Sequence, residues 1–120
     1  MKEVIIIIRP GCYFKTKNAL TEHRFFAMST KEVLGRGRAG VVFSASECDK
    51  KTEDDEIYNN MLVAKKMISI VVPDEAVNEL INVVLSVNSH NAEGDGKIFV
   101  LPVYDCVRIH TGETTEDALM

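Results

Sequence analysis

The sequence predicts an α+β fold of order βαββαβ, and three observations carry that expectation. Strand-like apolar runs recur around residues 2–9, 27–43, 62–72 and 97–110. A clear helical period covers residues 77–87, and a weaker one covers residues 13–23. Proline and glycine mark the changes between them, at Pro10-Gly11, Pro73 and Gly94 to Gly96.

The first strand, Lys2 to Arg9, contains Val4 to Ile8. These are five consecutive β-branched residues, as a buried strand requires. The run is too short for a membrane span or a signal peptide, and Arg9-Pro10 interrupts it. The first helix, Tyr13 to His23, is expected to turn Phe14, Lys17, Ala19 and Leu20 inward or half-inward. A second strand starts near Ala27 and runs through Val33 towards Phe43, interrupted by the glycines at 35, 37 and 40.

From Glu47 to Glu56 there are six acidic and two basic residues and no large apolar side chain. That composition cannot offset the entropy of ordering, so it predicts an exposed, mobile loop between two strands. Its length exceeds an ordinary hairpin loop, and long loops often carry function. Leu62 to Val72 follows as the third strand. In the second helix Val77, Leu80, Ile81, Val84 and Val87 form one apolar face. Asp74 and Glu75 stand in its first turn, where they complement the helix dipole. The fourth strand is expected from Lys97 to His110, with a short polar tail over 111–120.

This order folds into one antiparallel four-stranded sheet with two helices on one face, a ferredoxin-like fold. The chain of 120 residues, 46% apolar and 27% charged, suits a single domain. Its strands are apolar on both faces, so the helix-free face is expected to be covered by another subunit. A net charge of −4 disfavours generic nucleic-acid binding. Three scattered cysteines without a CxxC pair argue against a disulfide framework and fit a reducing cytoplasm. The three histidines have no ligand spacing, and no metal site is expected.

Two glycine stretches suggest an anion site. Gly94-Asp95-Gly96-Lys97 leads into a strand, and glycines let backbone N–H groups approach an anion closely. Arg108 and His110 stand two apart on the expected strand, so they would share a face. From that stretch alone, a tight turn followed by solvated polar residues explains the pattern slightly better. Gly35-Arg36-Gly37-Arg38 stands at the mouth of the acidic loop and is neither a P-loop nor a Rossmann loop. By itself it reads more simply as a flexible loop base.

In combination these residues resemble the PII signalling proteins, the ferredoxin-like nitrogen regulators. The resemblance rests on IIIIRP (5–10), AMSTKEVLGRGR (27–38), ISIVVPDEAV (68–77) and GDGKIFVLPVYDCVRIHTGE (94–113), in family order over most of the chain. It implies a homotrimer with a cleft between each pair of subunits, each cleft binding ATP or ADP, with Mg²⁺ accompanying ATP. It also implies a loop over about 39–60 that docks on a target protein. By position, Gly94, Asp95, Gly96 and Lys97 would surround the phosphates. Arg108 would reach them from the last strand, and Gly35, Gly37 and Arg38 from the loop base. Ser29 would lie near the base and ribose, and Lys65 would help hold 2-oxoglutarate.

Several positions depart from the family. Ala39 replaces the glutamine that binds magnesium and 2-oxoglutarate, and Gly40 replaces the lysine after it. His110 replaces the second arginine, and His90-Asn91 replaces Thr-Gly before the phosphate loop. Tyr58 does not match the uridylylated tyrosine. These departures imply weakened nucleotide binding and count against a 2-oxoglutarate response and uridylylation. MKEVIIIIRP, KTKNAL and the altered loop are most similar to the nitrogenase-regulating NifI branch. A regulator of an ammonium transporter or another metabolic target is the rival expectation. A small ferredoxin-like enzyme is disfavoured because no acid, base and nucleophile set converges. A metal-handling trimer of similar architecture is the third alternative.

Overall fold

The computed structural model describes residues 1–36, 62–92 and 94–119. Four strands, β1 (Lys2–Ile8), β2 (Met28–Gly35), β3 (Val63–Val72) and β4 (Gly96–Pro102), form one sheet in the order β2-β3-β1-β4. Every neighbouring pair is antiparallel. Helices α1 (Tyr13–Glu22) and α2 (Val77–Asn88) follow β1 and β3, each entered through a short 3₁₀ turn. This is the βαββαβ order expected.

Alternation along the strands separates the two faces. Val4, Ile6 and Ile8 of β1 are buried with Ile68, Ile70 and Val72 of β3 against Leu20, Leu80, Val83 and Val84 of the helices. The register puts Ile5 and Ile7, Met67 and Val71, and Phe99 and Leu101 on the opposite, helix-free face. There Phe99 remains 47% and Leu101 39% exposed, so this face is apolar and uncovered in one chain. β2 lies at the sheet edge beyond the helices, which is why Ser29 to Glu32 are all exposed.

The first helix turns a different stripe inward from the one expected. Thr16 and Leu20 are buried, whereas Phe14 is 70% exposed and Lys17 is also exposed. At about 100° per residue, Phe14 lies roughly 200° round the helix from Thr16, so both cannot face the sheet. Thr16 tolerates burial because its hydroxyl donates to the Cys12 carbonyl (2.8 Å) and accepts from Asn88 Nδ2 (2.9 Å). That second bond ties α1 to α2. In α2 the buried stripe is Leu80, Val83, Val84 and Asn88, with Val77, Ile81 and Val87 half-buried at its margins. Before it, the Met1 amino group lies 3.0 Å from Asp74 and, with Lys2, holds that carboxyl below its ordinary pKa.

The last strand is shorter than expected. It ends at Pro102, opposite Lys2, where β1 itself begins. Pro102 has no N–H to donate, and Val103 N donating to Met1 O (3.1 Å) is the last bond along this edge. The chain then forms its own hairpin. Val107 bridges Thr114, Arg108 N donates to Glu113 O (2.8 Å), and Thr115 N donates to Cys106 O (2.9 Å). Arg108 and His110 therefore do not share a face of β4, and residues 111–119 are the return limb and a 3₁₀ turn, not a free tail. The second strand is described as Met28–Gly35; its expected continuation over 37–43 and the expected loop over 39–60 lie outside the described residues.

The two helix faces predict opposite outcomes in urea denaturation. Leu20→Ala removes a side chain with no exposure and is expected to lose about 2–5 kcal/mol. Phe14→Ala is expected to stay within about 0.5 kcal/mol. Equal losses would contradict the observed helix orientation.

Candidate functional site

The turn before β4 is built around a buried charge. Arg9 follows β1 and is 1% exposed. Its Nε donates to the Gly94 carbonyl (3.1 Å), and its Nη2 lies 3.5 Å from Asp95 Oδ1. The other oxygen of Asp95 accepts from the backbone N–H groups of His90 (2.8 Å) and Ala92 (3.2 Å). One carboxylate thus gathers the chain after α2 and fastens it to β1. Gly94 and Gly96 both have positive φ, 87° and 127°. At Gly96 a Cβ would run into the Ile7 carbonyl, so β4 can approach β1 here only through glycine.

That turn delivers Lys97 opposite Ile7 on the helix-free face. Lys65, opposite Val33 on β3, lies on the same face. Its stem passes over Gly35, where a Cβ would stand 3.5 Å from Lys65 Cδ. Burial, Lys97 and Arg9, in that order, push the Lys65 pKa below its ordinary value. Among the described residues neither Lys65 nor Lys97 is paired with a carboxylate, whereas Arg9 holds Asp95. Cations gathered at one end of a sheet, beside a glycine turn, are matched to a multiply charged anion.

The other candidate residues do not join this group. Ser29 shares the helix-free face but pairs with Ser69, four rungs from Lys65, or about 13 Å along the strand. Arg108 and His110 stand on the hairpin beyond Pro102, and Lys97 and Pro102 are at opposite ends of β4, about 17 Å apart. Arg108 pairs with Glu113 and the Asp117 carbonyl, and His110 is exposed. Gly37, Arg38, Ala39, Gly40 and Tyr58 lie outside the described residues.

A cavity of about 340 Å³ opens beside Lys97, between the end of α2 and the start of β4. Ile8, Val84, Leu85 and Ile98 give it apolar walls, and Asn88, Ser89, Asp95 and Gly96 complete it with Lys97. Arg9 was not among the residues singled out in the sequence. Its place directly after an apolar strand was the available signal, because a charge there must find a partner or leave the core. Among the described residues, no group of three or more His, Cys, Asp or Glu is placed to hold a metal. No described helix is long and apolar enough to cross a membrane.

Residues 1–113 match the family described as Nitrogen regulatory protein P-II. The chain is 39% identical over 125 residues to "Nitrogen fixation nifHD region GlnB-like protein 2" of Methanobacterium ivanovii, covering 100% of each. It is 40% identical over 126 residues to the protein of the same name from Methanothermococcus thermolithotrophicus, covering 99% of this chain and 98% of the relative. "Nitrogen regulatory protein P-II 2" of Methanothermobacter thermautotrophicus is 38% identical over 120 residues, at 99% and 97% coverage.

The Lys65 environment predicts a pH effect with a definite sign. Its pKa is lower in the folded chain than in the unfolded one, so the unfolded chain holds more protons between the two values. The penalty of burial and of repulsion is fully present below the folded pKa and is relieved as pH rises through it. Lys65→Met is therefore expected to be more stable than the parent at neutral pH, with the difference shrinking in the alkaline range. A difference independent of pH, read by urea denaturation, would contradict it. Separately, Gly96→Ala is expected to lose more than about 2 kcal/mol, from positive φ and the collision with β1.

Proposed function

The chain belongs to the nitrogen regulatory protein P-II family, and we propose that it is a homotrimeric, non-enzymatic sensor of adenine nucleotide. ATP or ADP binds between neighbouring subunits in the cytoplasm. The segment between β2 and β3 carries the resulting change to a target protein of nitrogen fixation, such as a nitrogenase component. Support for that target comes from the relatives whose names carry the nifHD region.

The observation that carries the reading is the separation of the candidate residues into two groups. Gly35, Lys65 and Gly94 to Lys97 gather at one end of the sheet. Ser29 sits in mid-sheet, level with Ile5 and Phe99, and Arg108 and His110 stand on the hairpin beyond the far end of β4, so these residues lie apart from that group. One chain does not assemble both groups around one ligand. A head-to-tail contact that closes into a ring does, because it sets one end of each subunit against the opposite end of the next. The same packing covers Ile5, Ile7, Phe99 and Leu101, which one chain leaves without a partner layer. At each interface Lys97 and the glycine turn come from one subunit, and Arg108 and Ser29 come from its neighbour.

In this site backbone N–H groups of the Gly94–Gly96 turn and the Lys97 ammonium bind phosphate, and Lys65 neutralises charge at the base of the long segment. Arg38 would add a second guanidinium from that segment. Mg²⁺ accompanies ATP through the phosphates. Ala39 has no oxygen to offer the metal or 2-oxoglutarate, so 2-oxoglutarate does not act as a co-ligand. A ligand that contacts the base of the segment differently as ATP and as ADP shifts its conformation, which is the physical requirement for a signal.

Light scattering is expected to give a trimer, and a stable monomer at micromolar concentration would overturn the assembly. Calorimetry is expected to show ATP or ADP binding that Lys97→Ala weakens about ten- to a hundredfold, as the loss of one charge-assisted bond. Unchanged affinity in that variant would remove the site. Tighter ATP binding in the presence of 2-oxoglutarate would remove the reading of Ala39.

A further inference from the structure

We propose that Glu113 sets the affinity of the nucleotide site by competing with phosphate for Arg108. The inference rests on the function proposed above, which makes Arg108 a phosphate contact. Arg108 Nη1 lies 3.4 Å from Glu113 Oε1, and Nη2 donates to the Asp117 carbonyl at 3.3 Å. Both terminal nitrogens thus point back into the hairpin that carries them. A guanidinium binds phosphate best through two N–H groups on one edge. Here the outer edge is occupied, so a phosphate must displace the carboxylate or accept a single, less directional bond.

The hairpin does not need this pair to hold its shape. Its backbone is closed by Arg108 N to Glu113 O (2.8 Å), Gly112 N to Arg108 O (2.7 Å) and Thr115 N to Cys106 O (2.9 Å). The Asp105 carboxylate adds bonds from the N–H groups of Cys106 (2.8 Å) and Thr115 (3.2 Å). The pair is long, with the Arg108 and Glu113 side chains 28% and 44% exposed. Such a contact is easily broken, yet it lowers the charge that an arriving phosphate meets. Glu113 therefore holds the guanidinium in a half-neutralised state from which a polyphosphate can take it.

The test is ATP calorimetry on the full-length chain with Glu113→Gln, Arg108→Ala and both together. Glutamine keeps the size and the acceptor and removes the charge. Glu113→Gln is expected to tighten ATP binding roughly two- to fivefold, the range of an exposed ion pair. In the Arg108→Ala background the same substitution is expected to change nothing. Unchanged or weaker binding in Glu113→Gln overturns the inference. So does equal tightening without Arg108, because Glu113 then acts as a general field and not through the guanidinium. If the parent binds neither ATP nor ADP, the proposed function falls and this inference falls with it. If the parent binds and depends on Arg108 but not on Glu113, the inference alone is overturned.

Discussion

A guanidinium with almost no access to water joins the end of β1 to the turn before β4. Burying a cation is strongly unfavourable unless it is paired and hydrogen-bonded, so Arg9 fixes what surrounds it. It requires Asp95 at 3.5 Å and the Gly94 carbonyl at 3.1 Å. Asp95 in turn draws in the His90 and Ala92 N–H groups, which sets the path of the chain leaving α2. The tight passage at Gly96 follows, because β4 must enter the sheet directly beside Ile7. Lys97 is then placed by the register and not by its own contacts. The same buried charge contributes to the field that lowers the pKa of Lys65. The structural ion pair therefore stands at the same end of the sheet as Lys65 and Lys97.

The second constraint is topological. In an antiparallel sheet, residues early and late in one strand lie at opposite ends of the molecule. β4 starts at the glycine turn and stops at Pro102, where β1 runs out. Whatever follows cannot return to Lys97 along the sheet, and the chain spends residues 106–115 on a hairpin of its own. That hairpin leaves Tyr104 and Ile109 almost fully exposed, as the helix-free face leaves Phe99 half exposed. Both uncovered surfaces and the divided cation set find one explanation in a neighbouring subunit. Within the hairpin the Glu113 carboxylate and the Asp117 backbone carbonyl hold the Arg108 guanidinium.

Much of this was legible in the sequence, for physical reasons that differ by element. The unbroken β-branched run of β1 marks a strand and the 3.6-residue period of α2 marks a helix with one buried face, so both could be read directly. The turn glycines were legible because Gly96 must have positive φ beside a carbonyl. In α1, Phe14 was expected inside because apolar residues usually are. Thr16 took the place because two hydrogen bonds satisfy its hydroxyl, and one of them comes from Asn88, 72 residues away. The end of β4 was illegible because Val103 to Ile109 still reads as strand. Only the length of β1 shows that no partner remains. Arg9 was missed for the related reason that its burial is decided by Asp95, far along the chain.

A site shared by two subunits is restored when two variants, each defective in a different half, are mixed. Lys97→Ala keeps the Arg108 side of each interface, and Arg108→Ala keeps the Lys97 side. Every mixed ring contains one interface where both intact halves meet. After dissociation and joint reassembly of equal amounts, calorimetry is expected to recover tight ATP binding at about one site in four, as random assembly of a cyclic trimer requires. A mixture that binds as weakly as either variant alone would contradict the shared site.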